Sequence, residues 1–259
     1  MFDARYPAGV PAVADTSAIP SEGWAVLHLV FAIAADRDDE IDITDAQALV
    51  VAFQAERDAQ VIAFSAIGPG ADFGLVLIHP DLARVHALHR DLLRTALGDA
   101  LVEIPEKGLV SITEASEYLN DDGSPRFDDL REGRLHPGKL PDTRVICIYP
   151  MSKSRDVGAN WFSLSFDERK RLMGGHGRLG GSFRGRVSQL ITAATGLSDW
   201  EWGVTLFSDD PKAIKDIVYE MRYDEASAIY GIFGPFTIGL VAPFGDALRE
   251  AGLTIEGTA

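Results

Sequence analysis

The chain holds a single cysteine, Cys147, among its 259 residues. One thiol excludes an internal disulfide and any zinc or iron–sulfur site built from several cysteines. Its place in the apolar run Val145-Ile146-Cys147-Ile148 reads as a buried structural thiol. Long apolar runs are missing too: no stretch reaches the ~20 residues that cross a bilayer. Residues 1–7 lack the charged-then-apolar pattern of a secretory signal, so a cytoplasmic protein is the default expectation. Basic residues are scarce, with 24 Lys and Arg against 39 Asp and Glu and a net charge of −15. A surface of that sign repels nucleic acid and anionic membranes, so neither is an expected partner. A polyanionic ligand would need Lys and Arg gathered locally.

Residues 1–22, rich in Pro, Ala and Ser, read as an N-terminal arm. Beyond them lies an internal repeat. Phe73-Gly74-Leu75-Val76-Leu77-Ile78 matches Trp202-Gly203-Val204-Thr205-Leu206-Phe207, each an aromatic–Gly opening followed by a strand-like run. Each is then followed by a helix start, His79-Pro80-Asp81 or Ser208-Asp209-Asp210-Pro211. Ile214, Ile217, Val218 and Met221 give the second helix one apolar face, and Leu82, Val85, Leu88 and Leu92 do the same for the first. Strand-like segments precede each pair (25–31 and 144–149) and follow each helix (108–112 and 236–240). The spacing predicts two β-α-β-β-α-β halves, 23–119 and 144–245, joined by a polar linker at 120–143 and trailed by a tail at 246–259. The expected fold class is α+β, two ferredoxin-like halves joining their sheets into one dimeric α+β barrel.

Among the six histidines, His86 and His89 are three apart on a predicted helix but have no third ligand nearby, so solvated helix-face residues are the better reading. His28 falls in a strand and His79 at a turn. His176 stands apart. The capping-box pattern Ser165-Phe166-Asp167-Glu168 opens a helix expected to run to Met173, which meets Gly174-Gly175-His176-Gly177. Glycines allow a flat ligand close to the backbone, and one imidazole there can ligate a haem iron; a His capping a helix end is the alternative. At the end of an apolar strand, Tyr149-Pro150-Met151-Ser152-Lys153-Ser154-Arg155 offers a phenol beside cations. There Tyr149 can act as an acid, a hydrogen-bond donor or a one-electron relay, or simply pack, and Lys153, Arg155 and Arg134 can receive carboxylates. Arg184-Gly185-Arg186-Val187-Ser188-Gln189 and Trp200-Glu201-Trp202-Gly203 form a third cluster, suited to a porphyrin wall or to a core.

Taken in order, Tyr149-Pro150-Met151-Ser152-Lys153, Asn160-Trp161-Phe162, His176-Gly177, Gly185-Arg186-Val187-Ser188-Gln189, 201–207 and 219–225 closely resemble the coproheme decarboxylases of the chlorite-dismutase superfamily. The match runs across residues 134–240. The resemblance implies iron coproporphyrin III (coproheme) as both substrate and redox cofactor, hydrogen peroxide as oxidant and haem b as product. His176 would be the proximal iron ligand and Tyr149 the residue that becomes a radical. Lys153, Arg134 and Tyr118 would meet propionates, with Met151 and Trp161 near the porphyrin. Glu225, or failing that Glu220, would hydrogen-bond the proximal imidazole. Gln189 falls where chlorite-splitting relatives carry a distal Arg, which argues against that chemistry; Gln189 or His136 would serve as the distal group. The resemblance further implies a homopentamer and a transient contact with an iron-inserting chelatase. A haem carrier, a peroxidase or a chlorite dismutase of the same fold is the rival reading.

Overall fold

The computed structural model describes residues 18–118 and 125–256. Residues 1–17 of the expected arm, 119–124 of the linker and 257–259 of the tail lie outside the described residues. The first half runs β1 (Ala25–Ile33), α1 (Thr44–Gln54), β2 (Gln60–Ile67), β3 (Phe73–His79), α2 (Leu82–Leu92), a short α3 (Ala96–Asp99), β4 (Leu101–Glu103) and β5 (Leu109–Thr113). Helix α4 (Pro125–Leu135) follows, inside the segment read as a linker. The second half runs β6 (Val145–Lys153), a small hairpin of β7 (Arg155–Asp156) and β8 (Ala159–Asn160), α5 (Phe166–Gly181), β9 (Ser188–Ala193), β10 (Trp202–Ser208), α6 (Pro211–Met221), α7 (Glu225–Ala228), β11 (Gly231–Phe233) and β12 (Thr237–Ala242). Helix α8 (Phe244–Glu250) closes the order. Apart from the short extra pieces, each half keeps the β-α-β-β-α-β sequence that the repeat predicts.

The strand pairings form a ring. β1 pairs β3, β3 pairs β2, β2 crosses to β12, and β12 pairs β6. β6 pairs β10, β10 pairs β9, and β9 crosses to β5, which returns to β1. Every pairing is antiparallel, and closure leaves these strands no free edge. The interior packs Val26, Phe64, Ile78, Ile146 and Phe207, all at most 1% exposed. Burying each contributes about 1.5–3 kcal/mol. The repeated aromatic–Gly pair has a packing reason here. Gly74 lies opposite Phe64 in register, and a Cβ on it would fall 2.1 Å from the Phe64 ring. Only a glycine admits that ring. Gly203 is approached closely as well, by Leu109 and Thr192.

Helices cover the outside of the ring. In the first half α1 and α2 bury Ala46, Val50, Phe53, Val85, Leu88 and Leu92 against the odd-numbered face of β1 and β3. α8 joins that same core through Phe244, Ala247 and Leu248, so the segment read as a tail is structural. In the second half Phe183, Val187 and α6 pack on Val145, Cys147, Tyr149 and Met151 of β6 and on Val204 and Leu206 of β10. The helix starts behave as the sequence predicts: Asp81 accepts from Ala83 N at 2.8 Å, Ser165 from Glu168 N at 3.2 Å and Asp210 from Lys212 N at 2.8 Å. One expectation is corrected. α5 does not stop at Met173 but continues through the glycines to Gly181. Glycine's low helix propensity is outweighed by packing on α6 and α7.

Candidate functional site

Successive residues of a strand point to opposite faces, so Tyr149, Met151 and Lys153 of β6 share the outer, helix-covered face. Val204 stands opposite Tyr149, and Ile191 stands opposite Val204. Gln189 stands opposite Leu206 on that face, and its Nε2 lies 3.5 Å from where Gly180 of α5 would carry a Cβ. Sheet and helix thus bring Gln189, Tyr149 and Met151 to one face beneath α5 and α6.

His176 sits inside α5, five residues before the last residue of the helix, which rules out the helix-cap alternative. Its Nδ1 is 2.8 Å from Asp224 Oδ2. A carboxylate only accepts, so Nδ1 carries the proton and Nε2 holds the free lone pair. Nε2 has no hydrogen-bond partner among the described residues. Asp224 is 7% exposed in its side chain and is the N-cap of α7, where it also accepts from Ser227 N. Here the expectation for Glu225 is corrected. As the first helical residue of α7, Glu225 turns outward and pairs with Arg171 at 3.1 Å. The fallback, Glu220, lies exposed on α6. The Asp-x-x-Ser pattern at 224–227 is a helix-start signature that identifies the inward carboxylate from sequence alone.

Lys153 is 6% exposed. Its Nζ donates to Ala226 O at 2.8 Å and stands 4.4 Å from the centre of the Trp161 ring. Burial pulls its pKa down to about 8, partly offset by the nearby Asp224 and Glu201 carboxylates. Glu201, also buried, accepts from Lys153 N at 2.7 Å and binds Arg155. Trp161 is 3% exposed and meets the rings of Tyr230 and Tyr118 edge-on at 5.4 and 6.3 Å. Tyr118 accepts from Arg169 Nε at 2.9 Å, and burial raises its phenol pKa.

Tyr149, partly buried, is flanked by two aromatic rings, with Phe236 stacked at 4.3 Å and Phe233 at 6.1 Å. Burial, with a smaller effect from Cys147, pushes its phenol pKa upward, so the phenol keeps its proton at neutral pH. Two expected participants lie apart from this cluster. Arg134 is exposed in the last turn of α4 and makes no ion pair among the described residues. His136 bonds Glu132 at 2.7 Å and packs on Trp24 at 5.4 Å, not on Gln189 or Tyr149. Among the described residues no three His, Cys, Asp or Glu gather to hold a metal; His86 is exposed on α2, while His89, read as solvated, is partly buried and pairs with Glu103 at 3.3 Å. No described helix is long and apolar enough to cross a membrane.

The donor set fits an iron porphyrin. One imidazole presents a free, oriented nitrogen, and a carboxylate behind it fixes the tautomer. The flanking glycines Gly177 and Gly181 are open, since a Cβ on either would meet nothing within 4 Å. Buried aromatic rings and one buried cation complete the surroundings.

Comparison with known proteins agrees. A family model described as chlorite dismutase matches residues 40–242. A coproheme decarboxylase of Staphylococcus carnosus is 36% identical over 234 residues, covering 86% of this chain and 93% of that protein. A Natronomonas pharaonis protein named for heme binding is 40% identical over 237 residues; these cover 84% of this chain but 39% of that longer protein. Among solved structures, a heme-binding protein from Thermus thermophilus has a TM-score of 0.76 at 33% identity, over 92% of this chain and 98% of that one. A chlorite dismutase variant from Candidatus Nitrospira defluvii has a TM-score of 0.73 at 16% identity, over 90% of this chain and 96% of that one, a likeness of fold alone.

Proposed function

The chain belongs to the chlorite dismutase family, and from that premise we propose that it converts coproheme to haem b by peroxide-dependent oxidative decarboxylation. The observation that carries this reading is the presence of two groups: a partly buried phenol, Tyr149, on the helix-covered face of β6, and a His176 in α5 whose Nδ1 is held by Asp224. The 36% identity to a coproheme decarboxylase supports it.

In this reading His176 Nε2 holds the iron, and Asp224 fixes the ring and raises its basicity. The bound iron porphyrin supplies the oxidising equivalents, drawn from peroxide. Tyr149 then gives up an electron, and because its phenol is protonated it must release the proton with it. The resulting tyrosyl radical takes a hydrogen atom from a propionate side chain. Loss of a second electron breaks the bond to the carboxylate, releasing carbon dioxide and leaving a vinyl group. Per side chain, one propionate, one peroxide and one proton give one vinyl group, one carbon dioxide and two waters. Two such rounds give haem b.

Lys153 supplies positive charge inside a chain of net charge −15. Tyr118 with Arg169, and Arg134 from the linker helix, are the proposed propionate contacts. Gln189, on the shared face, is the proposed distal group in preference to His136. Mass spectrometry of the porphyrin after coproheme and peroxide are added tests the reading. Loss of two carboxyl groups is expected from the native chain and not from Tyr149→Phe, which keeps ring and packing. His176→Ala should fold yet lose the histidine-ligated spectrum of bound coproheme. Tight binding without mass loss would favour the rival reading of a haem carrier and overturn the decarboxylase; two relatives are named for heme binding.

A further inference from the structure

Two half-exposed phenylalanines stand out on the surface of the second half: Phe233 at 41% and Phe236 at 45%. Both are joined to Tyr149. The Phe236 ring lies over the phenol at 4.3 Å with the planes 27° apart, and Phe233 closes a second side at 6.1 Å and 57°. The turn between them is pinned. Gly234 N donates to Pro150 O at 2.9 Å, on the residue next to Tyr149. A Cβ on Gly234 would fall 2.6 Å from Pro150 Cγ and 2.8 Å from Trp200 Cζ2, so only glycine lets the turn seat this deeply. Register fixes each end, with Phe233 opposite Met151 in β11 and Thr237, next to Phe236, opposite Ile148 in β12. The chain between β11 and β12 is thus bolted back onto β6 at the one point where it can cover the phenol.

We propose that Phe236 is the positioning residue of Tyr149: stacked on the phenol and held by the Gly234 anchor, it blocks the swing of the ring about Cα–Cβ, so fixing where the phenolic oxygen points, and keeps water from that face. The proposal rests on reading Tyr149 as the radical residue. A phenol free to swing about its Cα–Cβ bond would spread the oxygen's approach to the propionate, and small misplacements at a reacting atom cost rate steeply. Stacked aromatic pairs attract beyond their area of contact, so a ring 4.3 Å from the phenol both restrains it and covers one of its faces. Phe236 need not touch the porphyrin for this effect.

The test uses Phe236→Ala and Phe236→Leu, each also in a Tyr149→Phe background so that the Tyr149 signal is identified by difference. On the porphyrin-free chain, ultraviolet difference titration of tyrosinate should detect Tyr149 ionising below about pH 11 in the Ala variant but not in the native chain. Leu, which still excludes water, should titrate like the native chain. With coproheme and peroxide, Ala and Leu should both lower the vinyl yield per peroxide by about tenfold or more while the coproheme Kd stays unchanged. An unmoved Tyr149 titration in a folded Ala variant overturns the proposal, as does a shifted titration with native vinyl yield. A weakened Kd would make Phe236 a porphyrin contact and overturn it too. If the titration shifts as expected but even the native chain makes no vinyl product, the decarboxylase reading fails while the shielding of Tyr149 stands.

Discussion

The two halves share one plan and use it differently at the helix that follows their first strand. α1 buries Ala46, Val50 and Phe53, while the longer α5 buries only Leu172. Beneath α1 and α2 lies a continuous apolar core; beneath α5 and α7 lie Lys153, Asp224 and Glu201, each buried and each charge-paired or hydrogen-bonded. Buried polar groups contribute little net stability even when satisfied, and a helix with five glycines starts from a poor propensity. Duplication thus lets one copy supply stability while the other holds reactive groups that a packed core would exclude.

The comparison breaks most visibly at Phe73, fully buried in the first half and packed on Phe31 and Phe244. Phe73→Ala should cost about 3–5 kcal/mol in urea denaturation and leave the coproheme spectrum of the folded fraction unchanged. A cost below about 1 kcal/mol would mean that the first half is not where stability resides.

His28, at the contact between halves, comes next. Its Nε2 meets Thr205 of β10 at 2.8 Å, and burial lowers its pKa to about 4, an effect the backbone at Leu109 partly opposes. A folded pKa below the unfolded value means that the unfolded chain takes the proton first. The contribution is therefore complete above about pH 6.5 and is lost as pH falls towards 4, by about 3 kcal/mol in all. Melting temperature from pH 7 to pH 4 should fall along that window, and His28→Gln should flatten the slope.

Asp224→Asn sharpens the second half's side. Asn caps a helix as well as Asp, so stability should hold while the charge behind His176 is lost. Coproheme affinity should fall by about 10–100-fold on titration; native affinity would show that the carboxylate charge is not used. The smallest effect is expected at Gly177→Ala and Gly181→Ala. Each new methyl meets open space and should raise stability by about 0.5–1 kcal/mol, read as a higher denaturant midpoint.

The repeat, the capped helix starts that follow its two copies and the strand-end cluster of Tyr149, Met151 and Lys153 are legible in the sequence because they rest on local spacing. The carboxylate partner of His176 is misplaced by one residue, since acidity alone does not separate 220, 224 and 225; the Asp-x-x-Ser cap pattern does, by turning Asp224 inward. The extent of α5 is hidden because propensity ends a helix at a glycine run and tertiary packing does not. Phe233 and Phe236 carry no signal, because phenylalanines at the ends of strand-like runs look like core until the turn at Gly234 brings them onto the phenol. The role of α8 is invisible for a similar reason: its partners in α1 and β2 lie far away along the chain.

That last separation bears on how the chain comes off the ribosome. Phe244, Ala247, Leu248, Leu253 and Ile255 complete the apolar core of the first half, and Ile41 exchanges backbone hydrogen bonds with Thr254 and Glu256. A half that ends at β5 would be expected to settle while the second is still being synthesised. Here it waits, its apolar face open, until residue 255 has left the exit tunnel. A product that stops before residue 255 should therefore be less soluble than its apolar content alone implies.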